Sequence, residues 1–151
     1  MINAITNYIV ALFQKDELVN TITFKDNEVV DIEKENVLPL VSIRFTNRSE
    51  DPDNELYVYN YKIGIYQQRD TRKVVQPSKL MEDTNWIDNL AECESIANNF
   101  VNYIERIEID ENINIDSLSD LLPVSNYASS NLDGFSFDYG LSYPNTGYCG
   151  C

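Results

Sequence analysis

The stretch that most limits how this chain can fold is NWIDNLAECESIANNFVNYIERIEI, residues 85–109. Ile87, Leu90, Ile96, Ala97, Phe100, Val101 and Ile104 recur at the i, i+3, i+4, i+7 spacing of one apolar stripe. Asp88, Asn89, Glu92, Ser95, Asn98, Asn99, Asn102 and Glu105 fall on the opposite face, which must meet water or a polar partner. Thr84 or Asn85 can cap the first free N–H groups, and Asp83 and Asp88 suit the positive end of the helix dipole. At 1.5 Å per residue such a helix spans about 37 Å, enough to cross a small sheet.

What it would cross lies on both sides of it in sequence. Met1 to about Lys15 reads as a short first helix, with Ile2, Ile5, Ile9, Leu12 and Phe13 on one face. The N-terminus has no basic stretch before its apolar residues and is read as this helix rather than as a secretory leader. Alternation predicts strands over 18–24 and 37–45, the second with Pro39 at its start or on an edge. Residues 47–54, with DPDN, read as a loop. Residues 55–68 form the clearest strand pattern: Tyr57, Tyr59, Tyr61, Ile63 and Ile65 share one face, and Leu56, Val58, Asn60, Lys62, Gly64 and Tyr66 share the other. At about 3.4 Å per residue this strand exceeds the usual length, and the expectation is an arm, residues 55–82, projecting beyond the sheet. Residues 111–123 are polar and alternate only briefly, at Ile113 and Ile115, as a short strand or surface loop. The runs 121–128 and 135–143 predict a closing hairpin, with Asp133-Gly134 as its turn. The fold class is therefore α+β: one domain, residues 1–151, with a mainly antiparallel sheet, a short N-terminal helix, one long amphipathic helix packed on the sheet, and a frayed tail over 144–151.

Charge and composition exclude several functions. With 25 acidic and 11 basic residues the net charge is −14, which opposes a grip on nucleic acid but suits a surface past which a polyanion slides. No stretch approaches the length of apolar residues that crosses a bilayer, so no membrane partner is expected. The chain has no His, so Ser–His and Cys–His nucleophilic pairs and His metal sites are excluded. Cys93, Cys149 and Cys151 are too few for a four-ligand zinc site, and the five glycines form no phosphate loop. Carboxylate pairs are not excluded by counting, but the acidic residues fall mainly on polar faces and loops. No catalytic residue, metal or cofactor is expected.

The residues left as candidates are interfacial. Arg69, Arg72 and Lys73, with Lys79 behind them, form a basic cluster in an acidic chain, read either as a solvated hairpin tip or as a contact with an acidic neighbour or DNA. Tyr57 and Tyr59 either pack the sheet or stack on bases or sugars. Trp86 either seals the helix–sheet junction or anchors a partner.

The order of these elements resembles that of the tail terminator, or tail completion, proteins of tailed bacteriophages. NLDGFSFDYGLSY, residues 131–143, is similar to the "DNLAGW plus alternating strand" ending of terminators from phages of Bacteroidetes. NVLPLVSI, residues 36–43, is similar to that group's entry into its second strand. Ser42 stands where that group often has His, and Phe135 where it has Trp. The resemblance implies a non-enzymatic virion protein assembled in the bacterial cytoplasm. It would form a ring at the neck, commonly hexameric, or twelve-fold where a short-tailed phage matches its portal. Portal or connector proteins and tail proteins would be its partners, with DNA only passing through the channel. A different reading is a carbohydrate- or protein-binding module that uses the tyrosine-rich sheet, and a weaker one is a carboxylate enzyme.

Overall fold

The computed structural model describes residues 2–24, 38–69, 86–106, 114–127 and 132–144, with the side chains of 104–106 and 126–127 outside that description. In chain order the elements are helix α1 (Ile2–Gln14), strands β1 (Thr21–Thr23), β2 (Leu40–Asp51) and β3 (Leu56–Gln68), helix α2 (Trp86–Arg106), and strands β4 (Asn114–Leu118), β5 (Leu122–Tyr127) and β6 (Leu132–Pro144). They form the expected α+β fold: a six-stranded, mostly antiparallel sheet with both helices on one face.

The sheet runs β1-β2-β3-β6, with β4 and β5 both on the far side of β6. β1 lies parallel to β2 over Thr21–Thr23 and Leu40–Ser42; every other pairing is antiparallel. β4 pairs with the C-terminal half of β6 and β5 with its N-terminal half. The Ser119 N–H bonds to the Asp138 carbonyl between them (2.9 Å), so β4 and β5 behave as two parts of one broken edge strand.

The tyrosine strand is not an arm. All of β3, Leu56 to Gln68, is paired with β6, and Leu56 to Tyr66 is also paired with β2, which makes it the centre of the sheet. The helix-facing row is Tyr59, Tyr61, Ile63 and Ile65 on β3, with Phe137, Tyr139 and Leu141 on β6 and Val41 and Ile43 on β2. α1 contributes Ile5, Ile9, Leu12 and Phe13 to this core, and α2 contributes Cys93, Ile96, Ala97 and Phe100. Phe100 is the hub: its ring stacks on Phe13 at 4.4 Å and meets Tyr139 edge-on at 5.2 Å. A smaller cluster of Leu40, Tyr66 and Leu132 packs on the opposite face.

Three sequence expectations need correction. The segment from Asn47 is not a loop, because β2 continues to Asp51 through a bulge at Thr46, and the turn is confined to 52–55. Asp51 anchors that turn by accepting from Asn54 Nδ2 at 2.8 Å, and Glu55 takes a left-handed φ of 52°. Second, Asp133-Gly134 is not the turn of the closing hairpin. The hairpin exists, but both residues lie inside β6, opposite Gln67 and Tyr66. A Cβ at Gly134 would stand 1.7 Å from the Ile65 carbonyl oxygen, so the glycine serves close strand packing rather than a turn. Third, the buried stripe of α2 is rotated. Ile87 is 62% exposed and Leu90 is half-buried, whereas Asn89 and Cys93 are buried.

Candidate functional site

Of the basic cluster, Arg69 is described, and it points inward. It follows the last residue of β3, and its Nε and Nη2 donate to Asp133 Oδ2 and Oδ1 at 3.0 and 2.7 Å. The Asp133 side chain has no exposed surface and that of Arg69 is 16% exposed. Arg69 is therefore an intramolecular counter-ion and not a tip residue. A buried carboxylate without such a partner loses several kcal/mol of solvation. Arg72, Lys73 and Lys79 lie outside the described residues.

α2 supplies the rest of this cluster. Asn89 Nδ2 donates to the Gln68 carbonyl at 2.9 Å and reaches Asp133 Oδ2 at 3.4 Å. Gln67 Nε2 donates to Glu92 Oε2 at 3.0 Å. The Cys93 thiol approaches the Asp133 carbonyl at 3.9 Å. Burial, with Glu92 and Asp133 nearby, pushes that thiol up to about 12, so it is protonated and inert at neutral pH. These groups bond to one another and tie the end of β3, the start of β6 and α2 together. Asp16 does the same at the other end of the helix pair: buried, it accepts from Leu18 N–H and Asn99 Nδ2, each at 3.0 Å. Spacing along the chain placed Asn89 and both carboxylates on solvated surface. Their burial depends on partners up to 83 residues away.

The remaining candidates divide. Tyr59 is 5% exposed within the core, and Tyr57 is half-buried at its margin with the Arg48 guanidinium 4.5 Å above its ring. The tyrosine face is used for packing. Trp86 donates Nε1–H to Ser125 Oγ at 2.8 Å, pinning the start of α2 to β5, yet it stays 37% exposed.

Both edges of the sheet are uncovered among the described residues. β1 covers β2 only as far as Ser42, and among the described residues no strand pairs with Phe45–Asp51 on the side away from β3. Residues 44–50 are all exposed. On the opposite edge, 114–120 are all exposed, with no described strand beyond β4. A pocket of about 360 Å³ opens beside β2, lined by Thr6, Phe24, Ile43, Arg44, Phe45 and Tyr61. Its base is fixed by a 2.8 Å hydrogen bond between the Thr6 and Tyr61 hydroxyls, and Phe45 meets Tyr61 edge-on at 5.5 Å. Among the described residues Arg44 is its single ionic lining residue.

No protein-family model matches the chain, and no curated protein matches it. Among the described residues no helix is long and apolar enough to cross a membrane.

Proposed function

We propose that this protein is a structural ring component of a tailed-bacteriophage neck, joining the head connector to the tail while DNA passes through. The observation that carries this reading is a pair of sheet edges, on opposite sides of the sheet, that no described strand covers. A strand edge with unpaired N–H and C=O groups is a liability in a monomer, and head-to-tail contact between two different edges forms a ring when the rotation between copies closes. The order of elements supports the same reading, as does the net charge of −14, which keeps a phosphate backbone from sticking to the channel. The tyrosine face that a carbohydrate-binding module would need is largely occupied by the two helices.

Size-exclusion chromatography with light scattering tests the assembly. A ring elutes as a discrete multiple of the 17.4 kDa chain, six-fold in the favoured case and twelve-fold in the other. Particles assembled without the protein should accumulate as unjoined heads and tails, or as heads that leak DNA. Intact, infectious particles lacking it would show the assignment to be wrong.

A further inference from the structure

Both edges carry a β-bulge, and the two bulges flank the same level of the sheet from opposite sides. On β2 the register shifts between Phe45 and Asn47, and Asn47 lies opposite Asn60. Asn60 lies opposite Gly140. On β4 the shift falls between Ile115 and Ser117, and Ser117 lies opposite that same Gly140. Bulges distort an edge and discourage indiscriminate strand addition. Here the distortions leave Asn47 and Ser117 as the shared level between them, which singles out one register for a pairing of the two edges.

The side chains at that level are complementary. Neighbours across a sheet share a face, so Phe45, level with Tyr61 and Tyr139, has Leu118 as its counterpart on the far edge. Leu118 and Ile115 are 43% and 41% exposed on the helix-bearing face. Phe45, 40% exposed, and Phe24, 61% exposed, border the pocket on that same face of the β2 edge. The edges also differ in charge: over its exposed residues 44–50 the β2 edge carries Arg44, Arg48 and Glu50, with Arg48 Nη2 donating to Glu50 Oε1 at 3.1 Å, whereas the β4 edge carries Asp116 and Asp120 over residues 114–120.

We propose that a second copy of this chain docks its β4 edge antiparallel on the β2 edge, with Asn47 opposite Ser117, one bulge on either side of that pair, Leu118 seated against Phe45 at the pocket mouth, and Asp116, bulged between Ile115 and Ser117, beside Arg48. This rests on the ring reading and specifies its contact: the sheets of successive copies join into one continuous sheet around the axis. Antiparallel pairing follows from the strand order, since β2 and β6 run the same way and β4 runs opposite to both.

The test is a cysteine pair, Asn47→Cys with Ser117→Cys, in a full-length chain with Cys149 and Cys151 replaced by Ser. Directly opposed strand residues lie within disulfide reach. Mild oxidation should convert the double variant into a ladder of covalent multimers, and neither single variant should form it. Arg48→Glu should weaken assembly, and adding Asp116→Arg should restore it. A multimer of normal size without a ladder, or one indifferent to both charge changes, overturns this contact and leaves the ring reading standing. A wild-type chain that stays monomeric, together with no ladder from the double variant, overturns both. A ladder from the Asn47→Cys single variant would place two β2 edges together and refute the head-to-tail arrangement.

Discussion

Asp133, fully buried inside β6, is held by both forks of Arg69 from the end of β3. The two residues are 64 apart in sequence, and each lies beside the β3–β6 ladder that brings them together. Arg69→Ala removes this bidentate counter-ion from a buried carboxylate and should cost about 3–5 kcal/mol in a urea titration. Adding Asp133→Asn should recover part of that loss, because an amide has no charge to strand. A change below about 0.5 kcal/mol in Arg69→Ala, the usual size for a surface site, would mean that the pair does not bear on stability.

The rotated stripe of α2 gives a second set of outcomes. Phe100→Ala should cost about 3–5 kcal/mol, since its ring is packed between both helices and the sheet. Ile87→Ala, at a position 62% exposed, should change stability by less than about 0.5 kcal/mol. Asn89→Leu removes the buried amide that donates to the Gln68 carbonyl and should cost about 1–3 kcal/mol despite raising the apolar content of the helix. If Ile87→Ala proved costlier than Asn89→Leu, the helix would be packed on its other register.

Gly134 separates two readings of the Asp-Gly pair. In a turn, Gly134→Ala would act through backbone conformation alone. Within β6 the added methyl meets the Ile65 carbonyl oxygen at 1.7 Å and must force β3 and β6 apart locally. The expected loss is about 1–3 kcal/mol or more. Hydrogen exchange should show faster exchange at Ile65 and Tyr66 in a variant that still folds.

Cys93 makes stability sensitive to alkali. An unfolded thiol loses its proton near 9, whereas the folded one is pushed up to about 12 by burial. Between those values the unfolded chain binds fewer protons, so stability is intact below about pH 9 and falls by up to about 1.4 kcal/mol per unit above it. Burial raises Tyr8, Tyr61 and Tyr139 as well, which adds to the loss in the same direction. The urea midpoint should therefore drop above pH 9, and Cys93→Ala should flatten the first part of that drop. In the chain with Cys149 and Cys151 replaced by Ser, a thiol reagent at pH 8 should label Cys93 only after denaturation.

Local pattern was enough for the parts of this fold that depend on neighbours in sequence. Ile5, Ile9, Leu12 and Phe13 are buried together because a helix turns every 3.6 residues, and Tyr59, Tyr61, Ile63 and Ile65 share a face because a strand alternates. The closing hairpin and the start of β2 after Pro39 were legible for the same reason. Periodicity carries no information about what lies across the sheet. That β3 is central follows from ladders to β2 and β6, and those pairings span up to 88 residues between Leu56 and Pro144. Burial of Asn89, Asp133 and Asp16 is decided in the same way: a polar group enters the interior only where a distant donor or acceptor meets it, and only the packed chain supplies one. The bulges at Thr46 and Asp116 belong to this second kind, since a bulge is defined against the strand beside it.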